Sequence, residues 1–426
     1  MPAIQPVKGT RDFYPEDMAL RQWLYARIRE VSERFGYQQF EGPFLERLEL
    51  YAAKSGEELV KEQSFVFPDR GGDLITLRPE LTPTLARMVA TRSGALPRPI
   101  RWWSFGPFWR YERPQKGRSR EFFQWNIDLL GVDTPEADAE LASVAAEFFR
   151  SIGLGPEVVQ IAVNNRKLVE AQLDSLGVPP VRRQAIFKLI DRREKTAQAA
   201  WEKNAFENGL SRAQLDALTQ MLTDQEAWKT SPELVRFFEA AEAIGSTEYL
   251  VYDPTVVRGL DYYTGIVFEA RDAGGEYRSI LGGGRYDNLV ADVGGDPVPA
   301  TGWAMGDMVL GLVLEKYGVR PALRAAPAQV LVTVFDPGRE APSLRLAAEL
   351  RREGLKAEWY PRADRLPKQL KYADRLGIPL AVIEGPEEAA AGEVTVKDLK
   401  ARLQERVARP VLASRLRSML EQAQQA

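Results

Sequence analysis

RGLDYYTGIVFE, from Arg258 to Glu269, sets an arginine, an aspartate, two adjacent tyrosines and two glycines into one short run. Beyond Thr264, Ile266 and Phe268 alternate with Val267 and Glu269, the period of a strand. Arg258 to Tyr263 then fall on the loop that leads into this strand, where side chains are delivered to a cleft. Two readings follow. A tyrosine pair also fills cores and a lone arginine is commonly solvated, so composition alone leaves a structural and a functional role open.

Outward from this run, 426 residues exceed one ordinary core and imply two or three domains. Hydrophobic residues at 45% and charged residues at 27% describe a soluble globular chain. No apolar run approaches the roughly 18 to 20 residues of a membrane span, and the N-terminal sequence has no signal or transit pattern. The expected location is the cytoplasm. The absence of cysteine excludes disulfides, thiolate metal sites and a cysteine nucleophile. The absence of histidine removes the usual neutral-pH base, the commonest metal ligand and any histidine-based triad. Chemistry here must run on carboxylates, arginines, tyrosines and a bound ion. A net charge of -3 gives no overall attraction for nucleic acid, so a polyanion must be met by local basic patches.

Upstream, apolar spacing predicts a helix over Met18 to Phe35, then a strand broken at Gly42-Pro43 and a second helix from near Glu46 to about Ser55. Ser64 to Pro68 and Asp73 to Leu77 read as strands joined at Gly71-Gly72. Thr82-Pro83 has the form of an N-cap followed by proline at the first helical position, which puts Glu80 and Thr82 at the mouth of a strand-to-helix turn. Ile100 to Tyr111 and Glu121 to Leu130 read as strands joined by the most basic loop in this half of the chain. Arg110, Gln124 and Asp128 on these strands suit phosphate and ribose oxygens. Arg166 to about Ile244 is a charged helical tract between strand-rich segments, read as an inserted subdomain. After proline- and alanine-rich Gly318 to Pro327, strands and helices alternate, which predicts a small α/β domain with a largely parallel sheet. In it Arg365, Lys368, Lys371 and Arg375 recur at spacings of three or four on one helix, with Arg362 just ahead.

Taken in order, KGTRD at Lys8 to Asp12, LRPELT at Leu77 to Thr82, FWRYERPQKGRSREFFQ at Phe108 to Gln124, RGLDYYTG at Arg258 to Gly265 and GGGRYD at Gly282 to Asp287 resemble the motifs of histidyl-tRNA synthetase, a class II aminoacyl-tRNA synthetase family. The likeness spans essentially the whole chain. It implies an α+β fold: an antiparallel catalytic sheet in 1–165 and 246–320, a helical insertion in 166–245, and an anticodon-binding domain in 328–426. It also implies a homodimer joined partly around Phe40 to Leu50. The implied activity joins L-histidine to ATP and passes it to the 3′ end of tRNA(His).

On this resemblance Arg110 and Arg258 are the catalytic cations at the α-phosphate, and Arg118 and Arg120 join them in holding ATP, whose Mg²⁺ enters with the nucleotide. Glu80, Thr82 and Gln124 match the positions that hold the substrate α-ammonium. Asp128 and Tyr263, with Tyr262 beside them, match those that pair the imidazole nitrogens. Gln115 would lie near the extra guanosine at the tRNA's 5′ end, and Arg365, Lys368 and Lys371 are the candidates for tRNA contact. Adenylate formation needs no histidine base, so the composition is compatible with activity. The sequence departs from the family at Val309, where class II motif 3 carries an arginine, and at Phe123, where the family often has histidine. The alternative is a catalytically inactive paralogue, the regulatory subunit of ATP phosphoribosyltransferase. That paralogue generally lacks the C-terminal domain and degrades the motifs that are present here. A synthetase-like stress sensor would need an effector domain.

Overall fold

The structure, a computed structural model, describes residues 4–52 and 63–425. The chain divides into two compact units, Met1–Asp12 with Leu24–Arg320 and Phe13–Trp23 with Pro321–Ala426.

The first unit is organised on an eight-stranded sheet. Its members are β1 (Gln38–Gln39), β5 (Ile100–Trp109), β6 (Glu121–Leu130), β7 (Val159–Asn165), β8 (Leu250–Tyr252), β9 (Ile266–Asp272), β10 (Leu281–Arg285) and β11 (Ala300–Gly306), in the order β1-β5-β6-β11-β10-β9-β7-β8. The interior pairings are antiparallel, and the two edge pairings, β1 with β5 and β7 with β8, are parallel. A small antiparallel sheet of β2 (Leu45–Arg47), β3 (Phe65–Pro68) and β4 (Leu74–Leu77) stands beside it.

Alternation along β6 explains how one strand serves two faces. Trp125 points to the face where Trp303 and Phe148 meet it edge-on, at 4.5 and 5.1 Å between ring centres. The Trp303 indole N–H reaches the Leu141 carbonyl of the Pro135–Ser151 helix at 2.9 Å, so that helix covers this face. Phe122, Gln124, Asn126 and Asp128 belong to the opposite face. There the Thr82–Thr91 helix, Tyr262, Tyr263, Val267 and Tyr286 share one apolar core. Strand β9 is buried on both faces along nearly its whole length.

Helices Arg166–Ser175, Pro180–Asp191, Gln198–Glu207 and Arg212–Met221 enclose their own core around Trp201, Phe187 and Leu215. The next helix, Pro232–Ile244, instead packs on the Pro135–Ser151 helix and fixes it through a bidentate pair, Arg236 with Glu136 at 2.9 and 2.8 Å.

In the second unit, β12 (Val330–Val332), β13 (Ala357–Trp359), β14 (Leu380–Ile383), β15 (Glu393–Asp398) and β16 (Leu403–Ala408) are ordered β13-β12-β14-β15-β16. The largely parallel sheet expected here is mixed: β12 pairs in parallel with β13 and β14, whereas β15 and β16 add an antiparallel hairpin that the sequence reading missed. Two local expectations also change. Glu46 lies within β2, where its backbone is committed to Thr76 of β4, and the helix begins only at Glu49. The expected continuation of that helix to Ser55 falls outside the described residues. Thr82 is the first helical residue, with Leu81 at the N-cap position and no side-chain cap.

Candidate active site

RGLDYYTG forms the loop before β9, and its backbone is unusual at the arginine. Arg258 adopts φ of 55°, a left-handed conformation that costs a non-glycine residue about 1 kcal/mol or more. The strain is held by the side chain. The Arg258 guanidinium is ion-paired to Glu269 on β9 and lies directly against Gly282 of β10, where a β-carbon would overlap it. A β-carbon at the first position of GGGRYD would therefore have to displace this guanidinium.

Glu269 is shared. Its other oxygen accepts from Arg271 Nε at 2.7 Å, and Arg271 reaches on to Glu194 of the helical insertion at 3.2 Å. Burial alone would raise the Glu269 carboxyl, but the two flanking guanidiniums hold it below its ordinary value. Burial works against the Arg258 charge, and Glu269 more than restores it, so the guanidinium stays protonated at any working pH.

These residues line one cavity of about 960 Å³. Glu80, Thr82, Tyr262, Tyr263, Gln124, Arg110, Gln115 and Arg118 are also among its lining residues. The Tyr262 hydroxyl donates to Glu80 at 3.1 Å, and the two tyrosine rings lie 5.0 Å apart. Burial pushes the Tyr263 hydroxyl up to about 12 and, with help from Glu80, raises Tyr262 well above its ordinary value, so both stay neutral donors. Arg110 is oriented by a bond from its Nε to the Pro79 carbonyl at 2.9 Å and by the Phe122 ring at 5.4 Å.

Asp128 sits deeper. It is not among the lining residues; it lies behind Tyr286, whose hydroxyl donates to it at 2.6 Å. Gly302 on β11 is paired across from it, and a β-carbon there would overlap the carboxylate. Burial pushes Asp128 up to about 7, against the Tyr286 hydrogen bond. Arg120 is also outside the cavity: it covers the Tyr111 ring at 3.9 Å and donates to the Glu112 carbonyl. Arg365, Lys368 and Lys371 are exposed in the second unit, Arg365 at the N-cap of the Leu366–Leu376 helix and Lys368 paired to Asp364 at 2.9 Å.

Val309 lines the cavity on the Asp307–Lys316 helix, whose first residue, Asp307, is paired to Arg11 of KGTRD at 2.8 Å. Arg285 is no substitute for a cavity cation, because it is buried against Asp138 at 2.9 Å. Phe123 is buried, and its backbone N–H donates to Asp307 at 3.1 Å.

The sequence reading missed Glu269, Arg271, Glu112 and Tyr286 as parts of this site. Glu269, Glu112 and Tyr286 stood within the quoted motifs, and an acid placed to balance Arg258 was a signal available there. Asp191 and Glu194, which the helical insertion contributes to the cavity wall, carry no local signal.

A family model for histidyl-tRNA synthetase matches residues 9–308, and one for an anticodon binding domain matches 329–419. A protein of Leptospira biflexa named histidine–tRNA ligase is 36% identical over 411 residues, 93% of this chain and 93% of its own. One of Haloarcula marismortui with the same name is 39% identical over 408 residues, covering 92% and 93%. Among solved structures, histidyl-tRNA synthetase from Nostoc superposes with a TM-score of 0.84 at 26% identity, covering 98% of this chain and 100% of that one.

Proposed function

The chain belongs to the histidyl-tRNA synthetase family, and on that premise we propose that it activates L-histidine with ATP and transfers the product to tRNA(His). The α-carboxylate of histidine attacks the α-phosphorus of ATP, pyrophosphate leaves, and histidyl-adenylate forms. A terminal ribose hydroxyl of the tRNA then attacks the activated carbonyl, and AMP leaves. The first step gathers negative charge on one phosphorus, so it depends on fixed cations aimed there. The observation that carries the reading is the convergence of Arg110 and Arg258 with Glu80, Tyr262 and Tyr263 on one cavity.

In this reading Arg258 and Arg110 hold the α-phosphate, with Arg258 drawn from Glu269 toward the developing charge. Glu80, Thr82 and Gln124 accept the α-ammonium. Tyr263 and Asp128, the latter through the Tyr286 hydroxyl, meet the imidazole. A site that pairs both ring nitrogens rejects apolar isosteres, because each buried polar group left unpaired costs about 1 to 3 kcal/mol. Arg118 supports the nucleotide, and Mg²⁺ enters as part of the ATP substrate. Arg120 acts one step back, packing the base of the same loop. Gln115 faces the tRNA acceptor end. Residues 1–165 with 246–320 form the catalytic domain, 166–245 the insertion and 328–426 the anticodon-binding domain, with Arg365, Lys368 and Lys371 on its RNA face. A homodimer is supported by apolar side chains left exposed on the small sheet, Leu45, Phe67 and Leu74 at 47%, 41% and 52%. The chain works in the cytoplasm.

Histidine-dependent exchange of pyrophosphate into ATP is the test, and a rate well above the histidine-free background is expected. The one observation favouring a non-catalytic histidine-binding paralogue is Val309 in place of a motif 3 arginine. Absence of exchange, with histidine binding retained, would establish that alternative.

A further inference from the structure

We propose that Arg278 grips the β- and γ-phosphates of ATP, supplying from the loop between β9 and β10 the distal-phosphate cation that the Asp307–Lys316 helix lacks. The inference rests on the ATP-dependent reading above and extends it to a residue outside the quoted motifs. A triphosphate needs cations along its length, and the departing pyrophosphate carries the charge that must be met.

The other arginines of the cavity are already engaged. Arg118 is ion-paired to Glu112, Arg258 and Arg271 divide Glu269 between them, and Arg110 is held by the Pro79 carbonyl. On the Asp307–Lys316 helix the residues facing the cavity are Asp307, Met308 and Val309, none of them cationic. Arg278 lines the same cavity and has no hydrogen-bond or ion-pair partner among the described residues.

An exposed arginine without a partner is ordinary on a surface. This one is set apart by the loop that carries it, which is clasped from two sides. Glu276 pairs with Lys116 of the basic β5–β6 loop at 3.3 Å and with Lys316 of the Asp307–Lys316 helix at 3.4 Å. The Tyr277 ring lies 4.9 and 5.3 Å from the same two ammonium groups. The Tyr277 backbone N–H donates to Asp272 at 3.1 Å, and Lys316 binds that carboxylate too, at 2.8 Å. The residues ahead of Arg278 are thus fixed, while its guanidinium is left for a ligand. Fixing the loop in advance reduces the ordering cost of binding, and a planar guanidinium matches two phosphate oxygens at once.

The test measures both directions of adenylate formation in the full-length protein. Arg278→Ala should raise KM for ATP, and KM for pyrophosphate in the reverse reaction, by about ten- to a hundredfold, the effect of a lost charge-assisted hydrogen bond. KM for histidine and the thermal midpoint should stay at the parental values. Arg278→Lys should recover part of the loss, since a point charge replaces a fork. Parental KM for ATP and pyrophosphate in Arg278→Ala would overturn the inference, as would an equal rise in KM for histidine. If the parental protein itself shows no histidine-dependent exchange, it is the synthetase reading that fails, and the inference falls with it.

Discussion

Arg258 shows how much one residue is made to carry. Its left-handed backbone, its contact with Gly282 and its pairing with Glu269 together fix its guanidinium in the lining of the cavity. Arg258→Ala is therefore expected to lower the adenylation rate by orders of magnitude. Its thermal midpoint should move little, because Glu269 keeps Arg271 as a partner. Pyrophosphate exchange and thermal unfolding of the same preparation check both halves; near-parental exchange would remove Arg258 from the mechanism. Asp128 supplies a second test. In a chain without histidine few groups titrate near neutrality, and burial brings this one to about 7. Its folded value lies above the ordinary carboxylate range, so its contribution to stability is full below about pH 4 and is lost as pH rises through about 7. Asp128→Asn should flatten the fall in thermal midpoint between pH 5 and pH 8; an unchanged slope would assign that fall to other groups.

At the scale of elements, much was legible and the failures have physical causes. Strands β5, β6 and β9 and the long helices announced themselves by apolar spacing, even though β6 and β9 turned out to be buried on both faces. The cavity residues were found through motifs, since no periodicity distinguishes a tyrosine that binds from one that packs. Thr82 looked like a cap, yet the chain enters the helix one residue earlier and leaves Leu81 there. Glu46 had helical neighbours, but its pairing with β4 decided otherwise, as tertiary context often overrides local preference. The β15–β16 hairpin escaped because its charged residues obscure the alternation. The Leu366–Leu376 helix invites an element-level experiment. Reversing Lys368 and Lys371 to glutamate should raise KM for tRNA about tenfold or more and flatten its salt dependence, because fewer phosphates are neutralised, while exchange without tRNA continues at the parental rate. Unchanged charging would move the RNA face elsewhere.

For the whole molecule, the exposed apolar residues of the β2-β4-β3 sheet are the feature that solvation explains least. Leu45, Phe67 and Leu74 are separated in sequence but share one small sheet. Replacing Leu45 and Phe67 by glutamate should convert a dimer to a monomer in sedimentation experiments, since burying an unpaired charge at an interface costs several kcal/mol. A doubly substituted protein that sediments as the parental species does would rule this sheet out of the interface.

The parallel pairing of β7 with β8 says something about how such a chain could have grown. Parallel neighbours cannot be joined by a tight turn; they need a connection of about a dozen residues or more, usually a helix laid on the sheet. Pro232–Ile244, packed on the Pro135–Ser151 helix, meets that need by itself. The four helices before it enclose a separate core, so they read as a graft spliced into the first half of an ordinary crossover. A descendant could exchange or shed that graft and still find every strand of the sheet in its place.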